Sequence, residues 1–152
     1  MHVFRLSRSK YANALNGRGA SKFGNRWNSK GVEVIYTAES RALAMAEVVV
    51  HLNLATLPSD FMMLVIEIPD EIEIQELNLK NLSKNWNTYL HYSETQKIGD
   101  HFIASLEACV LKVPSAVVKG DFNYLINPHH SAFKKIDIVE VSHFPFDQRI
   151  FQ

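Results

Sequence analysis

The apolar and polar positions of this chain fall into short periodic runs separated by turn residues, and they predict small strands and two helices around one long polar loop. Residues 2–6 read as a strand, and 7–31 as a polar, glycine-containing loop. Residues 32–37 read as a second strand. Ser40 stands where an N-cap belongs, ahead of a helix over 41–53 that Leu57-Pro58-Ser59 brings to an end. Residues 61–68 form an apolar strand stopped by Pro69-Asp70, and 71–76 alternate acidic and apolar residues as a half-exposed strand does. Whether these two strands pair is left open by the pattern.

Further along, 78–92 has no clear period. Its Trp86, Tyr89 and Tyr92 recur at helical spacing, which reads as core or interface rather than a ligand cage. Residues 93–112 read as a second helix with Ile98, Phe102, Ile103, Leu106 and Val110 on its apolar face, closed by Pro114. Short strands follow at 115–118, 123–126 and 136–141. No linker, repeat or low-complexity tract interrupts the chain, so 1–152 is read as one domain. Strands and helices interleave without a βαβ rhythm, and the expected class is a mixed α+β domain.

Composition narrows the function classes. The 152 residues suffice for a core without disulfides or structural metal. Sixteen Lys and Arg balance sixteen Asp and Glu, so the basic excess of a direct nucleic-acid binder is missing. The single cysteine, Cys109, excludes an intramolecular disulfide and fits a reducing compartment. No apolar run approaches the ~20 residues of a membrane span, and residues 1–10 contain no apolar signal core. The expected location is the cytoplasm, with no membrane contact.

Common motifs do not account for the chain. Gly17, Gly19 and Gly24 lack the dinucleotide-fingerprint spacing, and Lys22 is not in a phosphate loop. His129 and His130 are adjacent, without a surrounding ligand set, so no metal is expected. Cys109 reads as a small buried hydrophobe rather than a nucleophile. What stands out is Glu47, a carboxylate inside the apolar helix 41–53, downstream of the loop that carries Arg26 and Trp27 and the strand that carries Tyr36. A carboxylate among apolar neighbours pairs, shifts its protonation or serves a site. Each of these residues also has a structural reading. Arg26 could pair with a surface carboxylate, Tyr36 could be core, Glu47 could pair with His51 at i, i+4, Ser115 could start a strand, and Asn123 and Asn127 could satisfy turn backbone.

Taken in order, Gly17-Arg18-Gly19-Ala20, Gly24-Asn25-Arg26-Trp27-Asn28, Gly31, Val34-Ile35-Tyr36, Ala44-Met45-Ala46-Glu47, Val113-Pro114-Ser115 and Asn123-Tyr124-Leu125-Ile126-Asn127-Pro128 resemble the RES-domain family. The resemblance runs from Phe4 to about Phe133. The family's usual Gly-Gly before Arg-Trp is Gly24-Asn25 here, and Asn tolerates positive φ better than most residues. The resemblance implies a fold similar to ADP-ribosyltransferase toxins. It implies a bacterial toxin that cleaves the nicotinamide–ribose bond of NAD by hydrolysis or phosphorolysis, with NAD as substrate rather than cofactor. It also implies a cognate Xre-like antitoxin as the partner in a hetero-oligomer. Transfer of ADP-ribose to a cellular protein is the alternative chemistry, and a non-catalytic partner-binding module the alternative of another class.

The implied roles suit the residue types. Glu47 would stabilise an oxocarbenium-like ribose. Arg26 would hold the pyrophosphate with a planar set of donors. Tyr36 would stack on nicotinamide. Ser115 would complete the site by touching substrate, Arg26 or Glu47, and Trp27 and Asn127 would add NAD contacts.

Overall fold

The computed structural model describes residues 1–52, 57–88 and 92–151. Its frame is a mixed seven-stranded sheet in the order β4-β5-β6-β2-β1-β3-β7. The strands are β1 (His2–Arg8), β2 (Ile35–Ala38), β3 (Phe61–Glu67), β4 (Ile74–Glu76), β5 (Val110–Pro114), β6 (Phe122–Ile126) and β7 (Asp137–His143). All neighbours are antiparallel except β4 and β5. Among the described residues three α-helices accompany them: α1 (Arg18–Phe23), α2 (Arg41–Val49) and α3 (Ser93–Ser105).

Register decides which side chains share a face. Tyr36 is opposite Leu125, Ala38 opposite Asn123, and Asn123 opposite Val113. Because strand side chains alternate, Tyr36, Ala38, Asn123, Leu125 and Val113 all lie on one face of the sheet. That face is covered by two apolar clusters. In one, Leu43 and Ala44 of α2 meet Leu6, Ala38 and Met63. In the other, Phe102 and Ile103 of α3 meet Trp27, Leu111, Val113 and Leu125. The opposite face, with Ile35, Leu64, Ile66 and Ile126, packs against Ala12, Ile72, Cys109 and Ile136. Burying a Leu such as Leu43, 1% exposed, contributes about 2 kcal/mol.

Local sequence explains α2 well. The Ser40 hydroxyl accepts from Leu43 N at 3.1 Å, as an N-cap should, and the following Ala, Leu and Met residues are strong helix formers. The regular helix ends at Val49, and residue 53, where the sequence pattern placed its end, lies outside the described residues.

Three expectations are corrected, and the strand pairing that the pattern left open is settled. The helix expected over 93–112 stops at Ser105, and 110–114 is strand β5. Leu106, at φ 55°, turns the chain left-handed at the C-cap and is half exposed, so it leaves the apolar face that its spacing suggested. The side chain of Asn127, 24 residues further on, donates to Ile103 O at 3.1 Å and caps the helix end from outside. Residues 115–118 form a turn rather than a strand, organised by Ser115. The strands at 61–67 and 74–76 do not pair: β3 sits between β1 and β7, while β4 joins β5 near the other edge. Finally, the loop expected over 7–31 contains α1 and, at its start, the end of β1. The α1 sequence RGASKF has no apolar stripe to reveal it.

Candidate functional site

Glu47, on the last turn of α2, meets the sheet where β5 leaves it. Its Oε1 accepts from Ser115 Oγ at 2.7 Å and from Asn123 Nδ2 at 2.6 Å. Ser115 in turn accepts from the backbone N–H groups of Val117 at 3.1 Å and Val118 at 2.9 Å. Those two donors occupy the lone pairs of the hydroxyl and force its single hydrogen toward Glu47. Ser115 is thus an orienting group whose lone pairs are both engaged by backbone donors, which leaves none free for nucleophilic attack. The Asn123 carboxamide is fixed in sense, since a flip would set its oxygen against the carboxylate. Among the described residues no hydrogen bond reaches Glu47 Oε2, and His51 is not a partner of Glu47. Asn123 Oδ1, buried, has no partner either.

Arg26 arrives from the loop after α1. Gly24, at φ 71°, makes the left-handed turn that a side chain would resist. Asn25 needs no positive φ; its carboxamide instead accepts from Arg26 N at 2.8 Å, and its backbone bridges to Asn28. The guanidinium donates from Nη1 to Trp86 O at 2.8 Å and from Nη2 to Thr88 O at 3.4 Å, with Cζ 4.6 Å from the Tyr92 ring centroid. Burial lowers the Arg26 pKa from its ordinary value, while Tyr92, Glu47 and Tyr36 pull it upward. The group stays a cation within electrostatic reach of Glu47. Tyr89 lies outside the described residues. Trp86 is half buried against Trp27, with ring centroids 5.9 Å apart, as the core reading expected.

Tyr36 serves the same loop. Its hydroxyl donates to Asn28 Oδ1 at 2.8 Å and accepts from Trp27 N at 3.0 Å. The hydroxyl is therefore committed to the scaffold, and what remains for a ligand is the ring. Two expected substrate contacts prove to be internal. Trp27 is 2% exposed and packs in the α3-side core; Asn127 is 0% exposed and caps α3 while accepting from His129 N. Both hold the frame rather than face a ligand.

A set of residues on α3 went unnoticed in the sequence. Thr95 Oγ1 donates to Arg26 O at 2.5 Å, and Gln96 Nε2 donates to Asn25 O at 2.9 Å. Asp100 accepts from Ser29 N at 2.9 Å and from Ser29 Oγ at 2.5 Å. Gly99 lies directly under the Trp27 carbonyl. The available signal was a polar stripe at 95, 96, 99 and 100 with a glycine inside a helix, which usually marks a close approach. Asn123 gave the weakest signal, one amide in an otherwise apolar strand.

Among the described residues no group of three or more His, Cys, Asp or Glu could hold a metal ion. His130 Nδ1 accepts from Ala132 N at 3.1 Å as a cap. Cys109 is 2% exposed, and burial pushes its thiol up to about 11, which suits a packed hydrophobe. Burial also raises the Tyr36 and Tyr124 phenols. These shifts predict alkaline sensitivity. The unfolded chain gives up these protons at lower pH than the folded one, so stability is full below about pH 9 and falls as pH rises beyond it. Thermal melts from pH 8 to 11 should show a steady decline that is shallower in Tyr36→Phe; parallel curves would remove Tyr36 from this linkage.

The α+β fold of this chain is shared with a chain in the crystal structure of the M. tuberculosis MbcT–MbcA toxin–antitoxin complex. The TM-score is 0.73 at 18% identity, covering 98% of this chain and 85% of that one. The sequence goes further than the fold. The RES domain profile matches residues 2–148. Toxin Res of Photorhabdus laumondii is 36% identical over 152 residues, 99% of this chain and 97% of the relative. The Prs ADP-ribosylating toxin of Sphingobium sp. is 36% identical over 148 residues, 96% of this chain and 92% of the relative. This chain belongs to the RES-domain family. Among the described residues no helix is long and apolar enough to cross a membrane.

Proposed function

We propose that this protein is the toxin of a toxin–antitoxin pair and that it cleaves the nicotinamide–ribose bond of NAD, passing ADP-ribose to water or phosphate. The observation that carries the reading is the Glu47 carboxylate. One of its oxygens is held by Ser115 and Asn123, the other accepts no hydrogen bond from the described residues, and Arg26 lies within electrostatic reach. A fixed anion suits the positive charge that develops on ribose as nicotinamide leaves. Arg26 spends two donors on backbone carbonyls, which leaves part of its fork for the pyrophosphate. The Tyr36 ring offers a stacking face. No metal or cofactor enters the scheme, and NAD is the substrate.

The partner in this reading is a cognate antitoxin, of Xre-like type, that restrains the enzyme in the cytoplasm by forming a hetero-oligomer with it. A second reading has one specific support: a relative 36% identical carries the name of an ADP-ribosylating toxin. In that case a protein side chain replaces water or phosphate as acceptor.

Purified protein with NAD labelled in the adenylate half tests both. Nicotinamide release with free labelled ADP-ribose or its phosphate supports degradation, and label retained on protein supports transfer. No nicotinamide release at all refutes the enzymatic reading. Within that assay Arg26→Lys keeps the charge but loses the fork, and we expect a roughly tenfold weaker NAD affinity with a melting temperature close to wild type. Unchanged affinity in a folded Arg26→Ala protein would remove the pyrophosphate role.

A further inference from the structure

Asn123 is the second residue of β6, followed by the buried Tyr124, Leu125 and Ile126. Asn is disfavoured in such a strand, and this one is 8% exposed with a carboxamide oxygen that no donor among the described residues satisfies. An orphaned buried acceptor reduces stability. Packing does not ask for it, because leucine has nearly the same shape and no polar atom. What leucine lacks is the Nδ2–H bond to Glu47 Oε1 at 2.6 Å.

That bond has a counterpart. Ser115 donates to the same oxygen at 2.7 Å from the turn after β5, whereas Asn123 donates from the sheet. One donor alone lets a carboxylate pivot about the hydrogen bond. Two donors from separately anchored elements fix its plane, and both take Oε1, leaving Oε2 as the oxygen available to a ligand.

We propose that Asn123 is, together with Ser115, a positioning residue of the Glu47 carboxylate, retained at a cost in stability for its amide N–H. It touches no substrate and acts through Glu47. The proposal rests on the NAD-cleavage reading for its kinetic consequence alone; the orientation of the carboxylate stands apart from it.

Asn123→Leu removes the donor and the orphaned acceptor together. The melting temperature should equal or exceed that of the wild type, with NAD affinity within about twofold and kcat down roughly tenfold or more. Asn123→Asp sets a second carboxylate against Glu47 Oε1, so the acid limb of its kcat–pH profile should move to higher pH. A purely structural Asn123 gives the reverse for the leucine variant: a lower melting temperature with turnover per folded molecule retained. That result, or an unmoved pH profile in Asn123→Asp, overturns the proposal. If the wild type releases no nicotinamide, the NAD reading falls by itself, and a crystal structure of Asn123→Leu decides the positioning role. A rotated Glu47 carboxylate supports it, and an unchanged one refutes it.

Discussion

Gly99→Ala is expected to lower the melting temperature by roughly 6–12 °C, from a loss of about 3 kcal/mol at the contact between α3 and the arginine loop. A Cβ built at Gly99 would lie 1.7 Å from the Trp27 carbonyl oxygen and 2.7 Å from its carbon. Both atoms are backbone, so no side-chain rotation relieves the clash and the helix must withdraw. Alanine's better helix propensity returns only about 1 kcal/mol, which leaves the sign to the steric conflict. Withdrawal also strains the bonds from Thr95 to Arg26 O, from Gln96 to Asn25 O and from Ser29 to Asp100. NAD affinity should therefore fall along with stability. Gly19→Ala is the control, since nothing lies within 4 Å of a Cβ there and the substitution should be neutral or slightly stabilising. If Gly99→Ala melts with the wild type, the close approach does not hold this loop.

Gly99 also shows where sequence reading stops. The strands at β1, β3, β6 and β7 and the start of α2 were legible because each joins a periodic or β-branched run to a local stop or cap, such as Ser40 or Pro69-Asp70. The end of α3 was hidden, because Leu106 and Val110 continue the helical period while the cap that ends the helix comes from Asn127. The partner of β4 was hidden for a similar reason: pairing with β5 brings together residues 36 positions apart, and nothing local to 74–76 encodes it.

The candidate site divides the same way. Glu47 was visible as a charge among apolar neighbours, and its contact with Ser115 is direct. Arg26 and Tyr36 were singled out with it, though the Tyr36 hydroxyl turns out to support the loop. Trp27 and Asn127 belong to the motif, which suggests ligand contacts, and burial gives them framework roles. The motif therefore includes the groups that build the site as well as those placed to use it. Residue order in a motif cannot separate the two; exposure and hydrogen-bond direction can.

Glu47→Gln is expected to produce the largest loss of activity, with kcat down about a hundred- to a thousandfold. Structure makes this substitution unusually clean. Ser115 and Asn123 both donate to Oε1, and the glutamine carbonyl oxygen can accept both bonds in the same place, with its NH₂ set where no described donor binds. The fold should be preserved, and the melting temperature should stay close to wild type. What disappears is the negative charge that would face the developing oxocarbenium ion. NAD affinity should change by no more than about threefold, since an interaction made mainly in the transition state contributes little to ground-state binding. Growth arrest on expression should vanish with the activity. A framework role for Glu47 predicts a different pattern, in which the melting temperature falls and turnover per folded molecule is retained. Melting temperature, NAD affinity and nicotinamide release measured on one Glu47→Gln preparation separate the two, and a folded variant with wild-type turnover would remove Glu47 from the chemistry.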